Sequence, residues 1–180
     1  MESASRYAVA QSQSLRTAAA VIVGSLFLSL CSYVQIPLFF TPIPLVIQNS
    51  IAVALGAVLG ARKGLAAVLL FLTYGSLGAS VFAGEGGLSV LLSPLSGGYL
   101  AGYALAAFAT GKICEHRPSL LLPAVFVGHL LILLIGASVA SLFVGYRMAW
   151  QWGIAPFIVF DAVKAVATYK LLSLVRRHWL

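Results

Sequence analysis

Charge is what this sequence has least of. Only 8% of its 180 residues are charged, and just four are acidic. A soluble domain carries about 25% charged residues, so a water-solvated globule is excluded. Cysteine is also scarce. Cys31 and Cys114 fall near opposite ends of their helices in the arrangement below, so no disulfide is expected. No GxxxxGK[ST] stretch occurs, so the chain has no P-loop of its own. Neither a metal nor another cofactor is expected.

What fills the sequence is apolar. Hydrophobic residues make up 61% of it, and the mean hydropathy is +1.03. Runs of about 20 apolar residues recur along its length and read as transmembrane helices. They predict an all-α integral membrane protein with six spans, at 15–34, 45–60, 64–79, 97–114, 119–142 and 155–175. The second and third are short and imply tilt or irregularity. The whole of 1–180 reads as one membrane domain: a polar N-terminus (1–14), a six-helix bundle (15–175) and a basic tail (176–180). The first run lacks a small-x-small cleavage site, and bulky Leu30 precedes Cys31. It reads as a retained helix rather than a signal or lipoprotein leader.

The net charge of +7 does not point to nucleic acid, because the basic residues lie between apolar runs and form no patch. They mark topology. With six spans, Arg6, Arg16, Arg62, Lys63, Lys112, Arg117, Lys170, Arg176 and Arg177 share one side, and Arg147 lies on the other. Positive residues favour the cytoplasmic side, which puts both termini there in a multi-pass protein of the cytoplasmic membrane. Five spans would scatter these charges over both faces.

The outer connections, 35–44 and 79–98, are too apolar for solvated loops. Irregular backbone at membrane depth is tolerated where it is buried in protein or lines a cavity. Both are expected to fold over the outer end of the bundle as a roof above a ligand pocket. Small residues recur at spacing four around Gly56, Gly60 and Gly64, and along Gly98, Gly102, Ala106 and Thr110. Such stripes let helices approach closely. A third, Ala20 and Gly24 in span one, suits either packing or a partner membrane protein.

Span six carries Asp161 and Lys164 at spacing three, on one face of a helix. Asp161 lies about 7–8 Å below the outer end by helical rise. Charges at such depth mark a functional site unless they only neutralise each other. An acceptor beside a donor suits a small solute with N–H groups near a carbonyl or carboxylate. Gln48 and Asn49 are level with Asp161, and either amide serves to contact ligand or to cap the loop. Glu85 is expected to be solvated and His129 to bond between helices. Tyr99, Tyr103, Trp150 and Trp152 fit an interfacial aromatic belt, and Tyr99 also suits a pocket wall.

TPIPLVIQ (41–48), GASVFAGEGGLSVLL (78–92), GGYLAGY (97–103) and PFIVFDAVKA (156–165) together resemble the BioY family. That family is the biotin-specific substrate-binding (S) component of energy-coupling factor (ECF) transporters. The resemblance covers nearly the whole chain. It implies a lipid-embedded six-helix protein that captures biotin from outside. A transmembrane coupling protein and two ATPase subunits would be its partners, with ATP hydrolysis on the latter. It implies that Asp161, Lys164 and Gln48 bind substrate with Phe82, Gly84 and Glu85 of the 82–87 loop, and Tyr99, after the glycine loop, joins them as a substrate-binding candidate from its position. It also implies that Ala20 and Gly24 face the coupling protein. The family's Pro before Val-Phe-Ala is Ser80 here, and Gly84-Glu85 stand where some members carry a ligand-contacting Asn. Ser93 to Tyr99 is one residue longer than the family's Gly-Pro-Thr-Gly-Gly-Tyr.

The chemistry suits biotin. An ionised Asp161 accepts a ureido N–H, and Lys164 serves the ureido carbonyl or the carboxylate tail. Phe39, Phe40, Phe82 or Tyr99 would wall the thiophane ring. One competing reading is a stand-alone secondary transporter with Asp161 as proton site. Another is an intramembrane serine protease pairing Ser80 or Ser138 with His129, which the spacing of these residues disfavours.

Overall fold

The computed structural model describes residues 2–179 in backbone and 11–177 in side chains. It is almost entirely helical. The long helices are α1 (Glu2–Leu30), α2 (Gln48–Leu59), α3 (Ala61–Ser76), α5 (Gly97–His116), α6 (Leu121–Val144) and α8 (Phe157–Trp179). Two short helices, α4 (Leu88–Leu91) and α7 (Tyr146–Ala149), lie in the connections, and a π-helical turn (Trp150–Ile154) follows α7. The end helices outrun the expected spans. α1 extends back to Glu2 and α8 on to Trp179, because neither segment contains a proline or glycine stop.

Span two is shorter than expected. Residues 45 and 46 belong to β2 (Leu45–Val46), which pairs antiparallel with β1 (Gln35–Ile36). Pro37, Pro42 and Pro44 remove backbone donors and disfavour helix before them. The chain therefore crosses the roof as a narrow hairpin, and α2 starts only at Gln48.

A hinge of one residue joins α2 to α3. Gly60 has φ 86° and ends one helix while opening the next, a backbone state that suits only glycine. The Glu115 carboxylate of α5 accepts the Ala61 N–H at 2.8 Å, satisfying a donor at the start of α3. α5 is the central helix and packs on α2, α3 and α6. The two glycine stripes serve this packing. A Cβ on Gly64 would lie 2.7 Å from Gly56 Cα, and one on Gly98 would lie 2.6 Å from Val139 Cβ. α1 packs on α3, and α8 lies against α6 and α2.

Gly24 is buried, with the side chains of Leu55, Leu59 and Ala67 around it, so its small size serves packing within the chain, one of the two readings the stripe allowed. Ala20 is half-buried. The outward face of α1 is large and apolar, with Val23, Leu26 and Phe27 exposed. Among the described residues, two helical stretches, Gln11–Tyr33 and Pro118–Val144, are long and apolar enough to cross a bilayer.

Candidate functional site

A cavity of about 330 Å³ opens among the first turns of α2, α5 and α8 and the middle of α6. Its roof is the β1–β2 hairpin and the 82–96 segment. The end of the bundle that holds it is opposite the basic α2–α3 and α5–α6 turns.

Three polar side chains form its floor. Lys164 Nζ lies 2.6 Å from Asp161 Oδ1. Asn49 Nδ2 donates to the same oxygen at 3.1 Å. Lys164 also donates to Asn49 Oδ1 at 3.0 Å and to the Val46 carbonyl at 3.2 Å. Both of the bonds that reach Asp161 fall on its Oδ1. Asp161 is 7% exposed, so its charge faces little competition from bulk water. The pair points inward, as its spacing predicts.

The walls are apolar. Phe82 is buried edge-on against Phe71, with ring centroids 5.3 Å apart. Leu100, Tyr103, Ile132, Leu133 and Phe157 complete the lining with Tyr99. Tyr99 OH donates to the Gly153 carbonyl at 3.0 Å, which ties the wall to the π-helical turn. Pockets of this make-up hold one small molecule by shape and orient it by a few polar groups.

Hydrogen bonds hold the roof. Gln48 Nε2 donates to Val81 O at 2.9 Å, Gln35 Nε2 to Ala83 O at 2.8 Å, and Thr41 Oγ1 to Trp152 O at 2.8 Å. Gln48 thus both lines the cavity and caps the loop. Residues 82–85 form a tight turn with Ala83 at φ 51° and Gly84 at φ 85°. Positive φ at both central positions is the type I′ pattern.

Of the residues singled out for the site, Asp161, Lys164, Gln48, Phe82, Glu85 and Tyr99 line the cavity. Gly84 does not; it supplies the turn. Phe39 and Phe40 do not wall the site either. Phe39 is fully exposed in the β1–β2 connection and stacks edge-on with Phe40. Asn49 and Tyr103 also line the cavity. The sequence left Asn49 between ligand contact and loop cap and assigned Tyr103 to an aromatic belt, although the spacing of four from Tyr99 to Tyr103 puts both on one helix face. His129 bonds between helices as expected, with Ser50 Oγ 3.0 Å from Nε2 and the Val125 carbonyl 3.0 Å from Nδ1. Its partner is neither Ser80 nor Ser138, which removes the protease arrangement.

Fold and site together define a helical binding protein with one roofed, mostly apolar chamber and a charged floor. Comparison with known proteins gives that class a family. The model of the BioY family matches residues 4–180, and the chain belongs to the BioY family. It is 37% identical over 147 residues to a probable biotin transporter BioY of Pyrococcus horikoshii, covering 81% of this chain and 88% of that one. It is 34% identical over 152 residues to the biotin transporter BioY of Thermotoga maritima, covering 82% and 84%. Its fold matches the solved S-component for biotin from an ECF-type ABC transporter, with TM-score 0.77 and 23% identity over 93% of this chain and 94% of that one.

Proposed function

We propose that this chain captures biotin at the outer face of the cytoplasmic membrane and serves its uptake as the S component of an ECF-type transporter. The observation that carries this reading is the Asp161–Lys164–Asn49 cluster under an otherwise apolar chamber. A ureido ring presents N–H donors beside a carbonyl. Asp161 Oδ2 accepts one N–H in a charge-assisted bond, and the Asn49 amide and Lys164 stand beside the carbonyl. Phe82, Tyr99 and Leu100 give the thiophane ring a dry wall.

In this reading the six long helices are the six spans. Both termini are cytoplasmic, and the exposed Val23, Phe27, Leu142 and Val159 meet lipid. A coupling protein and two ATPase subunits supply the energy, so ATP is hydrolysed on partners. Labelled biotin bound by the purified chain tests the reading. Saturable binding displaced by desthiobiotin but not by thiamine supports it, and its absence overturns it. Uptake that survives loss of the ATPase partners and collapses with the proton gradient would return Asp161 to the role of proton site.

A further inference from the structure

The cavity holds a second carboxylate. Phe82 and Glu85 exchange backbone hydrogen bonds of 2.8 and 3.0 Å across their turn. Side chains of residues paired in this way share a face. Phe82 lines the cavity, and Glu85 lines it too. Glu85 remains exposed, so it stands at the mouth, with Asp161 at the floor.

No second basic side chain stands with it in the described lining. Among the described residues, Lys164 is the one basic side chain in the lining. An ammonium has three protons. Those of Lys164 point to Asp161 Oδ1 at 2.6 Å, Asn49 Oδ1 at 3.0 Å and Val46 O at 3.2 Å. A ligand with its head on the floor extends its tail toward the roof. A tail carboxylate there meets Glu85 and no basic side chain of the described lining. An amide tail removes the repulsion, and a tail ending in an amine pairs with Glu85.

We propose that the preferred cargo is an amide-linked form of biotin, its carboxyl condensed with an amine, and that a cationic amine tail binds best. This selectivity rests on reading the cavity as a biotin site. The test is competition binding to the purified full chain with three probes: biotin, biotinamide and N-(2-aminoethyl)biotinamide. Biotinamide is expected to bind about threefold or more tighter than the free acid, as befits a like-charge contact at a half-wet mouth. The aminoethyl amide is expected to bind tighter still, with both gaps shrinking as salt rises. Glu85→Gln is expected to bring the acid-to-amide ratio toward one. A free acid that binds as tightly as its amides overturns the proposal, as does a ratio that Glu85→Gln leaves unchanged. If none of the three probes binds saturably, the biotin reading itself fails and the selectivity falls with it.

Discussion

Asn49 on α2 donates its side-chain N–H to Asp161 Oδ1 on α8 across 3.1 Å. The far end of the same amide accepts from Lys164 at 3.0 Å and from the Ser50 backbone N–H at 2.9 Å. Two donors meet Oδ1, so the NH₂ group has to face the carboxylate. One position along α2, Ser50 meets His129 of α6. A carbonyl only accepts, so His129 carries a proton at Nδ1 toward Val125, and in the neutral ring Nε2 accepts from Ser50. The floor is therefore tied to three helices, and Asp161 is held in place before any ligand arrives.

Asp161→Asn is expected to weaken biotin binding by roughly 1.5–3 kcal/mol, the range for a hydrogen bond to a charged group. Asn49→Ala should weaken it by about 0.5–1.5 kcal/mol, as a neutral bond that orients the carboxylate. Equilibrium binding of labelled biotin to folded variants measures both. Wild-type affinity in Asp161→Asn would remove that residue from the site.

Lys164 has a different part. Its side chain is 17% exposed and that of Asp161 is 9%. Removing one member of so buried a pair leaves the other uncompensated and costs roughly 3–5 kcal/mol. Lys164→Ala should therefore lower the thermal unfolding midpoint clearly. The double variant Asp161→Leu/Lys164→Met should recover most of the loss. Because Lys164 is bonded at the floor, Lys164→Ala should also weaken biotin and biotinamide by the same factor. A loss confined to the free acid would place Lys164 at the tail instead.

The charged pair was legible in the sequence because two ionised groups in an apolar helix demand an inward face. The helix order was legible from apolar run length, and the roof from apolar loops too rich in glycine and proline for open water. Other parts were not. Asn49 is an uncharged amide whose spacing allows a cap as well as a contact, and only the meeting of α2 with α8 decides between them. The Ala20–Gly24 stripe states that something packs closely but not what. Three prolines announce an irregular hairpin, yet whether Phe39 turns in or out depends on register that no periodicity encodes.

Glycine packing gives a sharper contrast. A Cβ on Gly56 would sit 2.9 Å from Ala107 Cα and closer still to its carbonyl, against rigid backbone. One on Gly24 would meet Leu55 Cδ2 at 3.0 Å, the end of a flexible side chain. Gly56→Ala is expected to destabilise by about 1–3 kcal/mol, the usual range for overpacking. Gly24→Ala should stay under about 1 kcal/mol, since a side chain can shift to make room. Thermal unfolding of the purified variants, compared side by side, checks the order. Equal losses would mean that α1 is held as rigidly as the α2–α5 contact.

The roof should control how long ligand stays. Gln35 joins the hairpin to the 82–85 turn through the Ala83 carbonyl, and Thr41 joins it to the π-helical turn through Trp152. Ala83 is held at a positive φ that a non-glycine residue rarely adopts, so this turn relies on its neighbours to keep its shape. A neutral hydrogen bond contributes about 0.5–1.5 kcal/mol. Gln35→Ala should therefore speed biotin dissociation by roughly twofold to tenfold, if the whole bond is lost on opening. Thr41→Val, which cuts the hairpin's other tether, should act in the same direction. Prebound labelled biotin chased with excess unlabelled ligand reads the rate directly. Unchanged release in both variants would show that ligand leaves without lifting the hairpin, by a path between the helices.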